Sequence, residues 1–363
     1  MNDEPNKSQI RVLVVDDSAF MRTAISRMVA CDSDLSVAGT AASGTDALQK
    51  IPALDPDVIT LDMQMPGLDG LGTLRRIMAQ FPRPVIMVSS VTVKDAEATF
   101  AALEAGAFDY VPKDLSATSL NIVHIREDLI SKIKAAAESR HSSGSHSLPR
   151  KPPRAVELPT RGSVSSTLAM VAIGISTGGP KALQEILPAL PGNLTVPIVI
   201  VQHMPAGFTA PFAKRLNTLC AATVCEASNG ENLLAGVIYI APAGSQITIE
   251  RSPSQRGTIC LSDKPENQLH IPSADVMMQS VATAFGSLAM GIIMTGMGQD
   301  GAQGMSAIHQ EGGLTVGQDE RTCAVYGMPR ACAELGILDR VVPLSQIPNE
   351  IMQATRYRET GVG

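Results

Sequence analysis

Ala-Ile-Gly-Ile-Ser-Thr-Gly-Gly-Pro, residues 172–180, is the stretch that decides the fold of the second half of the chain. The apolar run of residues 168–175 ends at Ser176, and two glycines and a proline lead into a helical pattern at residues 181–187. Strand, sharp turn and helix is the arrangement that presents a nucleophile above a sheet. The free N–H groups at such a helix start can also bind an anion. Taken alone, the stretch fits equally well a turn in which Ser176 only caps the helix.

Length and composition limit the class of protein. The chain has 363 residues, which predicts two domains at roughly 100–200 residues per domain. Its net charge of −6 disfavours a nucleic-acid partner for the whole protein. No run approaches the ~20 apolar residues of a membrane span, and the first residues are polar, so we expect a cytoplasmic protein without membrane insertion. The six scattered cysteines lack the paired spacing of a metal site and predict reduced thiols.

The first 130 residues alternate between short apolar runs and helical patterns. Continuous apolar runs of this kind predict strands buried on both faces, as in a parallel sheet. The first is residues 11–15, and further strand-like segments lie at residues 37–40, 58–61, 85–88 and 108–111. With a helical pattern after each, the last at residues 122–137, they make five βα units. This predicts a doubly wound α/β domain with its ligand site at the carboxyl ends of the strands.

Polar side chains follow four of the predicted strands. They are Asp16, Asp17, Asp62, Ser89 and Lys113. Three carboxylates at one sheet edge repel each other unless a cation lies among them, and oxygen ligands with open positions suit Mg²⁺. A hydroxyl and an ammonium on the same edge could hold phosphate oxygens. Each residue has an ordinary structural explanation when taken singly, but together they predict a site for a metal and a phosphate.

Three segments in this region resemble a response-regulator receiver domain. They are Val-Leu-Val-Val-Asp-Asp-Ser at residues 12–18, Asp-Met-Gln-Met-Pro-Gly-Leu-Asp-Gly at 62–70, and Val-Pro-Lys at 111–113. The resemblance covers residues 9–130 and implies a receiver-type (flavodoxin-like) doubly wound parallel sheet.

The receiver resemblance also implies roles for the five polar residues. Asp62 would accept a phosphoryl group from a histidine kinase, with Mg²⁺ held by Asp16, Asp17 and Asp62. Ser89 would be the switch hydroxyl, and Lys113 the phosphate-binding lysine. One departure is Asp114, where many receivers have proline, and this puts the local loop geometry in doubt.

Residues 139–166 differ from the rest in composition, being rich in serine, proline and basic side chains. Such a segment cannot bury enough apolar surface to order itself, which predicts a flexible linker. A second doubly wound α/β domain follows it. Residues 236–240 and 246–250 flank a Pro-Ala-Gly-Ser turn and predict an antiparallel hairpin, which residues 258–261 would extend.

Ser176, His203 and Asp300 each lie beyond a predicted buried strand, and the carboxyl ends of parallel strands share one edge. A serine hydroxyl needs an adjacent base, and neutral imidazole can take and return its proton. A carboxylate fixes the tautomer of the histidine and stabilises the imidazolium. The N–H groups of residues 177–179 could stabilise an oxyanion. The placement predicts a Ser-His-Asp triad for acyl transfer.

Other interpretations of these residues are weaker. Singly, His203 could be a turn residue and Asp300 the N-cap of the helix after it. The Gly-x-Ser-x-Gly spacing matches an α/β-hydrolase elbow, whose order of Ser, acid and His would require His270 or His309 as the base. Neither lies at a predicted strand end, so Ser176, His203 and Asp300 are preferred. The glycines have the wrong spacing for a dinucleotide-binding turn, and a P-loop lysine is absent.

Several segments of the second domain are similar to the chemotaxis protein-glutamate methylesterases. The main ones are Ile-Gly-Ile-Ser-Thr-Gly-Gly-Pro at residues 173–180, Val-Gln-His-Met-Pro-Ala-Gly-Phe-Thr at 201–209, and Met-Thr-Gly-Met-Gly-Gln-Asp-Gly-Ala at 294–302, with shorter matches at 272–276, 318–320 and 326–329. The resemblance spans residues 167–357, which predicts a methylesterase catalytic domain there.

Carried over residue by residue, the resemblance makes Ser176 the nucleophile, His203 the base and Asp300 the orienting acid. Thr177 and Met297 become candidates for the oxyanion loop. Gln246 departs from the family pattern, which often has histidine shortly after Ala-Pro, so no role is assigned to it.

The resemblance implies hydrolysis of γ-methyl glutamate esters on methyl-accepting chemotaxis receptors, with release of methanol. It also implies deamidation of receptor glutamines and no cofactor for the esterase. We hypothesise that the unphosphorylated receiver covers the triad edge and that phosphorylation of Asp62 opens it. Two other functions stay open, namely a receiver-controlled serine hydrolase of a small-molecule ester and a non-enzymatic receiver-output regulator.

Overall fold

The computed structural model describes residues 9–90, 93–113, 119–143, 168–251, 257–265 and 270–355. The chain divides into two compact units between residues 148 and 149. The first unit contains a five-stranded sheet, and the second contains a seven-stranded sheet and a two-stranded ribbon. The predicted boundaries of the domains, at 9–130, 139–166 and 167–357, stay predictions.

The first unit has strictly alternating strands and helices. Its elements are β1 (Ile10–Val15), α1 (Ala19–Ala30), β2 (Leu35–Ala41), α2 (Gly44–Leu54), β3 (Val58–Asp62), α3 (Gly70–Gln80), β4 (Val85–Ser89), α4 (Val93–Glu104), β5 (Asp109–Pro112) and α5 (Ser119–Ser143). The strands are all parallel, in the order β2-β1-β3-β4-β5. This is the flavodoxin-like order, and it confirms the predicted fold. The ligand edge lies where β1 and β3 are neighbours and the strand order reverses.

The central strands are apolar because both of their faces are covered. Every residue of β3 and of β4 is buried. Apart from Thr60, the polar residues of these strands, Asp62 and Ser89, lie at the strand ends. The loop after β3 folds back tightly, because the Gly70 N–H donates to the Met63 carbonyl at 3.0 Å. Asp69 caps α3 by accepting a hydrogen bond from the Gly72 N–H at 2.7 Å. A Cβ on Gly70 would lie 2.2 Å from the carbonyl oxygen of Asp62. Only glycine therefore fits where α3 begins.

The last helix of this unit is longer than its sequence pattern predicts. It continues through residues 139–143, which composition alone assigns to the linker. Tertiary contacts account for part of the extension, because Arg140 pairs with Asp57 at 2.9 Å and donates to the Pro56 carbonyl at 3.2 Å. The rest of the predicted linker, residues 144–166, and the loop residue Asp114 lie outside the described residues.

The second unit is a larger doubly wound α/β arrangement. Its elements are β6 (Met170–Ile175), α6 (Gly179–Ile186), β7 (Ile198–Gln202), α7 (Thr209–Leu219), β8 (Thr223–Glu226), β9 (Val237–Ile240), β10 (Gln246–Arg251), β11 (Gly257–Ser262), α8 (Ala274–Phe285), β12 (Ala289–Ile293), α9 (Ala302–Gln310), β13 (Leu314–Gln318), α10 (Met328–Glu334), β14 (Arg340–Val342) and α11 (Ile347–Ala354). The large sheet is parallel throughout, in the order β14-β13-β12-β6-β7-β9-β8. The strands β12, β6 and β7 are therefore adjacent at its centre.

The antiparallel hairpin is present, but the strands that form it differ from the predicted pair. β10 pairs with β11, whereas β9 runs parallel between β7 and β8 in the large sheet. The predicted pairing of β9 with β10 is wrong for a physical reason. Ile238, Tyr239 and Ile240 are all 0% exposed, and a strand that is apolar on both faces needs the cover that a central position in a parallel sheet supplies.

Helix α8 lies close against the carboxyl end of β6. A Cβ on Gly174 would approach the Ala274 Cβ to 3.0 Å and the Met278 Cε to 3.2 Å. Glycine at this strand position therefore lets the helix approach the sheet. The first turn of α8 is brought in this way to the sheet edge where Ser176 lies.

Two predictions from composition can be compared with the structure. All six cysteines are free, as their scattered spacing predicts. Within the ranges that the structure describes, no helix is both long enough and apolar enough to cross a membrane.

We expect the Gly70→Ala substitution to destabilise the first unit by about 1–3 kcal/mol, because the new methyl group overlaps a main-chain oxygen that cannot rotate away. Helix propensity alone predicts the opposite sign, since alanine is better than glycine in a helix by roughly 1 kcal/mol. Denaturant unfolding of the full chain checks this, with the transition of the second unit as an internal reference.

Gly72→Ala is the matched control for Gly70→Ala. There the nearest atoms are the ends of the Asp69 and Leu68 side chains, at 2.9 and 3.0 Å, and side-chain ends can move. A Gly70→Ala protein as stable as the Gly72→Ala protein would contradict the steric argument.

Candidate active site

Ser176 lies at a sharp turn between β6 and α6. Its N–H donates to the Thr295 carbonyl at 3.0 Å, and its own carbonyl accepts from the Gly179 N–H at 2.8 Å. Gly178 has a φ of 75°, in the left-handed region that favours glycine. These contacts give the strand, turn and helix that the sequence predicts, with the serine half-buried at the sheet edge.

His203 follows β7 directly, and its N–H donates to the Ile175 carbonyl at 3.1 Å. Its Nε2 lies 2.7 Å from the Asp300 Oδ2, and the two side chains are each 10% exposed. A carboxylate only accepts hydrogen bonds, so Nε2 carries the proton and Nδ1 is the acceptor nitrogen. Nδ1 is buried, and no described residue hydrogen-bonds to it. It is therefore the nitrogen left to take a proton.

Asp300 is held by the N-terminus of α8. Its carboxylate accepts hydrogen bonds from the Ser273 hydroxyl at 2.7 Å and from the N–H groups of Ala274 and Asp275 at 2.7 and 3.0 Å. Burial raises the pKa of Asp300, but hydrogen bonds from His203 and from this helix start outweigh burial and hold the pKa well below its ordinary value. Asp300 is not the N-cap of α9, because that position belongs to Gly301.

His270 stacks on the candidate base. The two imidazole rings are 4.0 Å apart between centroids, with 13° between their planes. Burial and the nearby His203 lower the pKa of His270 to about 4, although Asp300 opposes the shift. His270 is therefore uncharged near neutral pH and presents a flat neutral face to His203.

Gln246, on β10, fixes the loop that carries His270. It is fully buried, its Nε2 donates to the His270 carbonyl at 3.1 Å, and its Oε1 accepts from the Ser273 N–H at 2.8 Å. The hairpin thus reaches the site through one amide side chain.

The candidate oxyanion residues lie on two loops beside the serine. Thr177 follows Ser176, and Met297 follows Gly296, whose Cβ if present would lie 2.8 Å from the Ser176 Cβ. No described residue accepts a hydrogen bond from the N–H of Thr177 or of Met297. Both N–H groups therefore have capacity to donate, and the oxyanion role itself stays a prediction.

The first unit brings its candidate residues together at the β1 and β3 ends. The carboxylate oxygens of Asp16, Asp17 and Asp62 lie within 4.8 Å of one another. Asp16 is 0% exposed, Asp62 is 1% exposed, and Asp17 faces solvent. Three acidic groups with open access on one side are a donor set that fits Mg²⁺.

Lys113 is the cation that the structure places against these carboxylates. Its Nζ lies 2.9 Å from the Asp16 Oδ2 and 2.7 Å from the Asp62 Oδ2. Burial raises the pKa of Asp62, and the neighbouring Asp16 charge raises it further against the hydrogen bond from Lys113. Burial works against the charged form of Lys113, but its contacts with Asp62 and Asp16 outweigh it and raise the pKa of Lys113.

Ser89 lies at the end of β4, and its backbone connects to the same edge. Its carbonyl accepts from the Lys113 N–H at 2.7 Å, and its buried hydroxyl accepts from the Thr99 hydroxyl on α4 at 2.9 Å. The structure therefore groups the five candidate residues Asp16, Asp17, Asp62, Ser89 and Lys113 at one edge of the sheet.

Comparison with known proteins gives two matches along the chain. Residues 171–351 match the family model for CheB methylesterase, and residues 12–123 match that for the response regulator receiver domain. A protein-glutamate methylesterase/protein-glutamine glutaminase from Oleidesulfovibrio alaskensis is 45% identical, over 95% of this chain and 99% of its own length. The chain belongs to the CheB methylesterase family.

Two further relatives support that membership. A protein-glutamate methylesterase/protein-glutamine glutaminase from Nitratidesulfovibrio vulgaris is 44% identical, over 94% of this chain and 98% of its own length. The crystal structure of the Thermotoga maritima CheB methylesterase catalytic domain is 36% identical, with a TM-score of 0.50, over 52% of this chain and 99% of that chain. Ser176, His203 and Asp300 all fall within the CheB methylesterase match.

Sequence reasoning missed the residues that support the candidate triad. His270 was set aside because it follows no strand, yet its ring lies on that of His203. Ser273 was recognised only within a family motif. A serine before a helical pattern with an acid in its first turn is a signal for a helix N-terminus. That signal could have located the start of α8, but it could not have shown that Asp300 binds there.

The low pKa of His270 predicts an acid sensitivity. The folded protein resists protonation of this ring, whereas the unfolded chain takes a proton near pH 6.5. The neutral His270 ring therefore makes its full contribution to the free energy of unfolding above pH 6.5, and this contribution is lost as the pH falls toward 4. Between pH 6.5 and 5 the free energy of unfolding falls by up to about 2 kcal/mol. We expect His270→Gln to reduce the drop in unfolding temperature of the second unit between these pH values. An equal drop in both proteins would contradict the assignment.

Proposed function

We propose that this protein hydrolyses γ-methyl esters of glutamate side chains on chemoreceptors, releasing methanol, and that it also deamidates receptor glutamines. The observation that carries the proposal is the 2.7 Å contact between His203 and Asp300 at the sheet edge that Ser176 shares. The family membership and the names of the relatives at 45% and 44% identity supply the substrate class.

The proposed chemistry uses three adjacent strand ends. The Ser176 hydroxyl attacks the ester carbonyl while Nδ1 of His203 takes its proton. His203 then protonates the departing methoxide, which leaves as methanol. Water, deprotonated by His203, attacks the acyl-serine. His203 returns this proton to the departing Ser176 oxygen, and the glutamate side chain is released as a carboxylic acid that ionises. An amide follows the same path with ammonia leaving, so one site serves both reactions.

Asp300 and the oxyanion loop carry the charges that develop. Asp300 stabilises the imidazolium and holds the His203 tautomer, and its lowered pKa keeps it ionised throughout. The N–H groups of Thr177 and Met297 donate to the tetrahedral oxyanion. Formation and hydrolysis of the acyl-serine, written in this way, use only side chains and N–H groups of the esterase unit and need no cofactor.

We further propose that a histidine kinase phosphorylates Asp62 and that this controls the rate at Ser176. Asp16, Asp17 and Asp62 would hold Mg²⁺, which neutralises phosphoryl oxygens when it is bound. Lys113 contacts the Asp62 carboxylate at 2.7 Å. After phosphorylation of Asp62, the Lys113 ammonium group would pair with a phosphoryl oxygen instead. Ser89 would contribute the switch hydroxyl. The serine- and proline-rich residues 144–166 follow α5 and connect the two units along the sequence.

We expect Ser176→Ala to lower methanol release from methylated receptor by at least about a thousandfold, because a triad serine cannot be replaced by its neighbours. Ser306→Ala, on α9, is the matched control and should keep the wild-type rate. Release of methanol by the Ser176→Ala protein at the wild-type rate would contradict the mechanism. Turnover of simple esters without turnover of methylated receptor would instead favour a small-molecule hydrolase.

We expect Asp62→Asn to abolish the stimulation of methanol release by a phosphodonor, because an amide cannot accept a phosphoryl group. Asp55→Asn is the matched control on the same unit. Asp55 is exposed and has a φ of 43°, a conformation that asparagine tolerates. Methanol release is measured on full chains with and without phosphodonor. Undiminished stimulation of the Asp62→Asn protein would rule out Asp62 as the control site.

A further inference from the structure

Gln202, the last residue of β7, lies between the candidate nucleophile and the candidate base. It is 1% exposed, and its Nε2 donates to the Ser176 carbonyl and to the His203 carbonyl, each at 3.0 Å. Two carbonyl oxygens accept hydrogen bonds only, so the nitrogen of the amide must face them. The side chain therefore joins the backbones of the two residues through one donor group.

The register of the sheet makes this connection specific. Gln202 pairs with Ile175 across β6 and β7, and each is followed directly by a candidate catalytic residue. The His203 N–H already donates to the Ile175 carbonyl. The amide of Gln202 adds two contacts beyond the end of the sheet ladder, where the strands no longer hold the chain.

The packing around this amide accommodates its oxygen atom. A Cβ on Gly179 would lie 2.0 Å from the Gln202 Oε1, so glycine at the start of α6 makes room for the side chain. Oε1 itself is buried, and no described residue donates to it. A buried acceptor without a donor costs stability, which an apolar side chain of the same size would avoid. Packing alone therefore does not favour glutamine here.

We propose that Gln202 is a positioning residue, which sets the approach of the Ser176 hydroxyl to Nδ1 of His203 through the two main-chain carbonyls. The proposal rests on the proposed hydrolysis at Ser176. Gln202 is buried beneath the site and does not touch substrate. Its loss should therefore lower kcat and leave KM unchanged.

The test compares Gln202→Met and Gln202→Glu in the full chain. Methionine fills the volume but donates nothing, so we expect kcat for methanol release to fall about 10- to 100-fold, as misplaced reacting groups do. Glutamate is nearly isosteric. As a carboxylate it presents an oxygen to two carbonyls, but once protonated it can donate one hydrogen bond. Its kcat relative to wild type should therefore rise as the pH falls from 8 to 6, while the Gln202→Met ratio stays flat.

Labelling of Ser176 by a fluorophosphonate supplies a second readout that needs no receptor. The labelling rate constant should fall in both variants. Relative to wild type, it should rise as the pH falls from 8 to 6 for Gln202→Glu and stay constant for Gln202→Met. Gln184→Met is the matched control, because Gln184 lies on α6 and its amide nitrogen donates to no described residue. It should retain wild-type labelling and turnover.

The outcomes separate the inference from the function on which it rests. A wild-type protein that neither labels at Ser176 nor releases methanol would overturn the proposed function, and the role of Gln202 with it. A labelled, active wild type with equally active Gln202→Met would overturn only the inference. Equal losses in both variants at every pH, with a lowered unfolding temperature, would make Gln202 a packing residue and would also overturn it.

Discussion

The candidate esterase site depends on one electrostatic arrangement, the Asp300 carboxylate at the N-terminus of α8. Three donors from residues 273–275 bind this carboxylate, and His203 is the fourth. Without these donors, a carboxylate buried to this degree would favour its neutral form and could not hold the imidazole in one tautomer. The hydrogen bond from His203 and the free N–H groups at the positive end of the helix together keep it ionised.

Close packing is what brings this helix to the site. A Cβ on Gly304 would lie 2.5 Å from the Met278 Cβ, so α9 can approach α8 only because it carries glycine there. The Asp275 side chain then accepts from the Gly304 N–H at 2.8 Å and joins the two helices. The order of strands completes the arrangement, because β12, β6 and β7 are neighbours and deliver acid, nucleophile and base to one edge.

The two sites use buried aspartates in opposite ways. Burial beside Asp16 raises the pKa of Asp62, whereas His203 and the helix donors lower that of Asp300. The difference lies in what surrounds each carboxylate. Around Asp62 there are other carboxylates and one ammonium, an environment that gains from a divalent cation. The Asp300 carboxylate accepts four hydrogen bonds, an environment suited to a permanent anion.

The sequence by itself determined the two doubly wound units and the positions of the polar residues at strand ends, because apolar runs and turn residues are local signals. It therefore predicted Ser176, His203 and Asp300 as a group, and likewise Asp16, Asp62 and Lys113. Only the tertiary structure decided that β9 joins the large sheet, that α8 holds Asp300, that His270 stacks on His203, and that the Gln202 amide links two carbonyls. Each of these contacts joins segments that are distant in the sequence, and their pairing depends on strand order and on close packing at glycines. Local sequence patterns do not show which distant segments pair.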